Sequence, residues 1–195
     1  MSQSAPAIIW FREDLRLTDN PALHAAVSSG RPLVLLYILD EQTKGLRPLG
    51  GASKWWLDKS LRALAADIKQ AGAQLTLRSG QSADMLDTVI EETGAAAIFW
   101  NRRYDQPERD LDAAIKEDLT QRGLDVSSYN ARLLNEPWQG WLLQGVHPLL
   151  ARRPQQLPRP RHVWSPQKAE WPQTRKRIPR RLGPPPFEPR LVHRF

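Results

Sequence analysis

Five short apolar runs recur along the first two thirds of the chain, at 7–11 (AIIWF), 32–39, 74–77, 96–100 and 125–129. Each is mostly continuous rather than alternating, as expected of strands buried on both faces of a parallel sheet. Between them lie segments with a helical period, at 21–27, 53–71, 83–92 and 107–122. In the longest, Trp56, Leu57, Ser60, Leu61, Leu64 and Ile68 recur at three- and four-residue steps and define one predicted apolar face.

Punctuation supports these boundaries. Asp19 or Asn20 can cap the first helix, with Pro21 in its first turn. Gly72, Gly94 and Gly123 follow the last three helical segments, where a left-handed C-cap residue is favoured. The alternation predicts an α/β fold: a doubly wound five-stranded parallel sheet with helices on both faces and right-handed crossovers. Ligands of such sheets sit beyond the carboxyl ends of the strands, which directs attention to the loops after Phe11, Leu39 and Trp100.

Composition then divides the chain. The 195 residues are 41% apolar, enough for a core, and carry a formal charge of +7. Residues 1–150 hold 16 Lys and Arg against 19 Asp and Glu, whereas residues 151–195 hold 12 against 2 and 10 of the 17 prolines. The basic character is therefore that of a tail. Residues 1–135 are expected to form the α/β domain, and 136–195 a disordered, basic, Pro/Arg-rich tail without an apolar period to offset ordering entropy.

Some chemistry is excluded directly. There is no cysteine, and the four histidines lack ligand spacing, so no metal site and no thiolate catalysis are expected. No secretory signal pattern or membrane-length apolar run occurs, which predicts a soluble cytoplasmic protein. No Gly-x-Gly-x-x-Gly, Walker loop or Gly-x-Ser-x-Gly elbow is present. Polar residues instead concentrate in the loop FREDLRLTDNPAL after the first strand and in NRRYDQPERDLD after the fourth. Pattern alone reaches a nucleotide-like or cofactor-binding domain.

The stretch WFREDLRLTDNPAL, residues 10–23, resembles the opening signature of the DNA photolyase/cryptochrome family, W-F-R-x-D-L-R-x-x-D-N-P-A-L. The resemblance continues through LLYI at 35–38, SKWWL at 53–57 with Ser60-Leu61, WNRRY at 100–104 with Glu108-Arg109-Asp110, and NEPW at 135–138. It implies a Rossmann-like N-terminal domain that binds an antenna chromophore, followed by a helical domain that binds FAD. In the intact family, light-excited reduced flavin repairs pyrimidine dimers in damaged DNA. The helical domain is not present in these 195 residues, so the chain alone is expected to lack repair activity and carries no predicted catalytic residue.

The resemblance also suggests site residues. Glu108 matches an acidic residue that contacts folate in some members, while Pro107 stands where those members have Asn, a departure that counts against methenyltetrahydrofolate. Phe11, Arg12, Asp40, Glu41, Asn101, Arg102 and Asp105 would line a deazaflavin site. Arg12, Asp14, Arg16 and Asp19 are read as an ion-pair network that sets the first loop, and Trp10, Trp55, Trp56 and Trp100 as core and interface residues.

Beyond Trp138 the family pattern is lost in this reading frame. With suitable synonymous codons, the bases encoding Trp141 to Arg152 read one base later as GYFKVFTPFWR, and those from Ile178 to Pro186 as SLDDWGLLP. Both segments resemble family sequence in the expected order, so the tail is read as a frameshift product. The competing reading is a stand-alone nucleotide- or small-ligand-binding α/β protein whose basic arm contacts nucleic acid through phosphates.

Overall fold

The computed structural model describes residues 4–134 and Glu136. The disordered tail expected for 136–195 lies, apart from Glu136, outside the described residues. The chain alternates strand and helix: β1 (Ala7–Phe11), α1 (Pro21–Ser28), β2 (Leu33–Leu39), α2 (Gly51–Gln70), β3 (Leu75–Ser79), α3 (Ser82–Thr93), β4 (Ala97–Asn101), α4 (Gln106–Gln121) and β5 (Asp125–Tyr129). All strands pair in parallel, in the order β3-β2-β1-β4-β5.

That order, with right-handed crossovers, puts helices on both faces of the sheet. The chain steps outward from β1 through β2 to β3, then returns to the other side of β1 for β4 and β5. Reversing direction moves the helices to the opposite face of the sheet. Strand side chains accordingly alternate between two cores. Ile9, Phe11, Leu35 and Tyr37 pack with Leu23 of α1 and with Leu57, Leu61, Leu64 and Ile68 of α2. Ile8, Trp10, Leu36 and Trp100 pack with Leu86 and Val89 of α3 and with Ile115 and Leu119 of α4.

Local signals account for the helix ends. Asn20 is the N-cap of α1: its side chain accepts a hydrogen bond from the Leu23 amide, and Pro21 follows in the first turn. Gly72, Gly94 and Gly123 have φ of 82°, 67° and 86°, a region that a residue without Cβ occupies at little cost.

One expected face is rotated. Leu57, Leu61, Leu64 and Ile68 form the buried stripe of α2, while Trp56 is 68% exposed and Ser60 only half-buried. Trp55 is also exposed, so only Trp10 and Trp100 are core residues among the four tryptophans singled out. Residue spacing placed Trp56 beside the stripe, but only Leu57, Leu61, Leu64 and Ile68 of α2 are buried in the core against the sheet. Among the described residues, no helix is long and apolar enough to cross a membrane.

Candidate functional site

The first loop is tied to the carboxyl end of β4 by a buried polar knot. Asn101 ends β4, and its Nδ2 donates to Asp14 Oδ2 and, at 2.8 Å, to Asn20 Oδ1. Its Oδ1 accepts from the amide of Ala22 at 3.1 Å, and Asp14 Oδ1 accepts from the amide of Arg12 at 2.8 Å. The Arg12 guanidinium crosses to α4, where Nη1 meets Asp112 Oδ1 at 2.5 Å, and Nη2 donates to the Asn101 carbonyl. Burial lowers the Arg12 pKa, and the facing Asp112 carboxylate opposes that shift.

This arrangement corrects the expected loop network. Among the described ion pairs, none joins two of Arg12, Asp14, Arg16 and Asp19. Arg16 instead donates to the carbonyls of Asp19 and Ala131, while Asp19 adopts φ 50°. Asp14 is instead occupied by the Arg12 amide and the Asn101 side-chain amide, Arg12 extends to α4, and Arg16 spends its donors on backbone carbonyls.

Above this knot, the carboxyl ends of β1, β2 and β4 open into a cavity of about 680 Å³. Trp10, Tyr37 and Ile38 contribute from the strands, Leu46, Arg47 and Leu49 from the loop after β2, and Ser53, Trp56 and Ser60 from the start of α2. Arg103 and Asp105 from the loop after β4, with Pro107 and Glu108 from the start of α4, close it. The Arg12 guanidinium lies 4.6 Å from the Trp10 ring, and Trp10 meets Trp100 edge to face at 5.8 Å.

Four of the eight residues singled out from the sequence line this cavity: Arg12, Asp40, Asp105 and Glu108. Phe11 is wholly buried in the core shared with α1 and α2, and Asn101 is held in the knot. Arg102 lines a second cavity of about 220 Å³ with Trp100 and Ser128. Its Nε donates to Glu136 Oε1 at 2.7 Å, and Tyr104 Oη lies 3.0 Å from the same oxygen, so buried Glu136 packs against the domain. Glu41 is not a lining residue; it pairs with Lys54 at 2.6 Å.

The lining groups differ in how far they are committed. Asp40 accepts from the amides of Thr43 and Ser82 at 2.9 and 2.8 Å and from the Thr43 hydroxyl at 2.6 Å, so it caps α3 from a different element. Burial alone would raise its pKa, but the hydrogen bonds from Thr43 and Ser82 hold it below the ordinary value. Glu108 accepts from Arg103 at 3.0 Å, yet burial pushes its carboxyl pKa up. Tyr37 is pushed up to about 12, first by burial and then by the Glu13 carboxylate.

Tyr37, Arg47 and Ser60 were not among the residues singled out. Ser60 and Tyr37 did carry a signal, since both belong to the segments that resemble the family and Ser60 is the one polar member of the predicted apolar stripe of α2. Arg47 carried none, because the loop after β2 has no periodicity to place it.

Comparison with known proteins fits this geometry. The DNA photolyase family model matches residues 7–147. The deoxyribodipyrimidine photo-lyase of Agrobacterium fabrum is 47% identical over 135 residues, covering 69% of this chain and 28% of that protein. Cryptochrome-1 of Arabidopsis thaliana is 42% identical over 134 residues, covering 68% and 20% respectively. Among solved structures, a class III photolyase from Agrobacterium tumefaciens superposes with a TM-score of 0.67 at 46% identity, covering 71% of this chain and 28% of that one. The chain thus spans under a third of the length of these relatives. The alternative of a stand-alone nucleotide-binding protein receives no support from them. The chain belongs to the DNA photolyase and cryptochrome family and carries the α/β fold of its N-terminal domain.

Proposed function

We propose that this domain holds an antenna chromophore in the 680 Å³ cavity and serves a light-driven, FAD-dependent DNA photolyase or a cryptochrome. The single observation that carries the reading is the position of that cavity, at the carboxyl ends of β1, β2 and β4 within a photolyase-family domain. The family binds FAD and antenna chromophores and acts on damaged DNA; FAD binding and repair are proposed for the longer protein of which such a domain is one part.

The donor set fits a flat heteroaromatic ligand with a polar edge and an anionic tail. Tyr37 and Ser60 offer hydroxyls, Trp56 offers a ring face at the mouth, and Arg16 and Arg47 offer cations. Because its pKa is near 12, Tyr37 stays a neutral phenol at physiological pH and donates without introducing a buried charge. Pro107 in place of Asn, and a cavity walled by the α/β domain itself, favour a deazaflavin over methenyltetrahydrofolate. When bound, such a pigment absorbs light and passes the excitation on. The protein residues hold the ring, fix its orientation and exclude water.

Of the eight residues singled out from the sequence, we propose Arg12, Asp105 and Glu108 as wall contacts and Asp40 as the support of the α3 side. Phe11, Asn101, Arg102 and Glu41 support the site from outside the cavity. We also propose that the sequence beyond Trp138 follows from a shifted reading frame. Resequencing the gene from the codons for Pro137 to Gly145 tests that part: a corrected frame encoding GYFKVFTPFWR supports it, and an unchanged frame removes it.

Titration of the chain with a deazaflavin and with methenyltetrahydrofolate, followed by visible absorption, tests the ligand. Saturable deazaflavin binding that is abolished by Ser60→Trp is expected. Preferential folate binding would overturn the pigment choice, and a folded protein that binds neither would overturn the antenna reading.

A further inference from the structure

Helix α2 presents a pair of neighbouring indoles, of which Trp56 also lines the cavity and Trp55 does not. Trp55 and Trp56 are 61% and 68% exposed, with ring centroids 6.2 Å apart and an interplanar angle of 38°. Lys59 Nζ lies 5.7 Å from the Trp55 ring, and Arg62 is held by Asp58 at 2.9 Å. Positions 55, 59 and 62 fall at i, i+4 and i+7, so an indole, an ammonium and a guanidinium share one face of the helix.

The charge of this stretch is opposite to that of its surroundings. Residues 44–62 hold five Lys and Arg against the single Asp58, whereas the rest of 4–134 holds 11 against 17. Lys54 is engaged by Glu41, and Lys59 and Arg62 share Asp58 at 3.9 and 2.9 Å, but Lys44, Arg47, Lys59 and Arg62 are all exposed. Two exposed aromatic rings set among cations, in a domain that is otherwise acidic, suit a ligand with π-faces and regularly spaced anionic groups.

We propose that the Trp55–Trp56 face of α2 binds single-stranded nucleic acid, with bases stacking on the indoles and phosphates meeting Lys59 and Arg62. Both indoles are solvent-accessible, so no rearrangement of the core is needed for stacking. The exposed cations give phosphate contact without sequence readout, as in other stacking platforms. This surface adjoins the cavity of the chromophore reading: Trp56 lines it together with Ser53, Leu57 and Ser60 of the same helix, whereas Trp55, Lys59 and Arg62 lie outside it.

The test must separate this face from the twelve Lys and Arg of residues 151–195, which would attract phosphates of any nucleic acid. The decisive variant therefore changes no charge. Full-length protein and its Trp55→Leu/Trp56→Leu variant are compared by fluorescence anisotropy with a labelled oligothymidylate of about 12 nucleotides and with duplex DNA of similar length. The expected result is a loss of roughly 10-fold or more in single-strand affinity with little change for duplex. Lys59→Gln/Arg62→Gln should weaken single-strand binding and flatten its salt dependence. Equal single-strand affinity in a double-leucine variant with unchanged thermal melting would overturn the proposal. So would displacement of the oligonucleotide by a polyglutamate peptide whose binding depends equally on Trp55 and Trp56, since the face would then be a dock for acidic polypeptide.

Discussion

Arg12, on the loop after β1, and Asp112, on α4, are a hundred residues apart in sequence and meet at 2.5 Å. Both side chains are nearly inaccessible, at 5% and 12% exposure. The pair fixes the first loop against α4 and thereby sets one wall of the cavity. Its contribution is one of geometry more than of net stability, because the desolvation of two charges opposes their attraction.

Removing one partner should therefore be far worse than removing both. Asp112→Ala is expected to cost about 3–5 kcal/mol in urea unfolding, since it strands a buried guanidinium. Arg12→Met/Asp112→Leu should recover most of that loss. A single variant as mild as a surface substitution would contradict this account of the pair.

Asn101 acts as a structural knot rather than a wall of the cavity. Asn101→Ala leaves the Ala22 amide and the Asp14 carboxylate short of partners, with a penalty on the order of 3 kcal/mol. The loss should appear in chemical denaturation without any ligand present. A variant that unfolds like the parent but loses chromophore binding would instead make Asn101 a direct ligand contact.

Asp40 should contribute to acid sensitivity. Its folded pKa lies below the unfolded value, so its stabilisation is complete above the unfolded pKa and is lost as pH falls through the folded one. Urea midpoints of the parent should decline from about pH 5 downward more steeply than those of Asp40→Asn. Parallel acid limbs would mean that the Thr43 and Ser82 contacts do not favour the charged form.

The two faces of α2 predict unequal costs for truncation. Leu64, 2% exposed, faces the core, and Leu64→Ala should lose about 2–5 kcal/mol. Trp56→Ala removes a larger side chain yet should cost well under 1 kcal/mol, because most of that indole is already in water. Comparable losses at the two positions would place Trp56 in the core after all.

Much of this architecture was legible in the residues themselves. Continuous apolar runs such as AIIWF marked buried strands, and glycines after three helices marked their ends, because burial and backbone sterics act locally. The two-sided winding was legible as well, since right-handed crossovers leave few alternatives. The site was less so. Arg12 and Asp112 carry no mark of their pairing across a hundred residues, and Arg47 sits in a loop without period. Asn101 and Phe11 lie next to the correct loops, but strand pleating turns Phe11 into the core and hydrogen bonding holds Asn101 in the knot.

The most direct test of the antenna reading is amide hydrogen exchange of the full chain with and without a saturating deazaflavin. Added protection should be confined to the segments around residues 12–16, 40–49, 53–60 and 103–108, which bound the cavity. Protection centred instead on the second cavity around Arg102 and Lys116, or none at all despite binding, would contradict the assignment of the chromophore to this site.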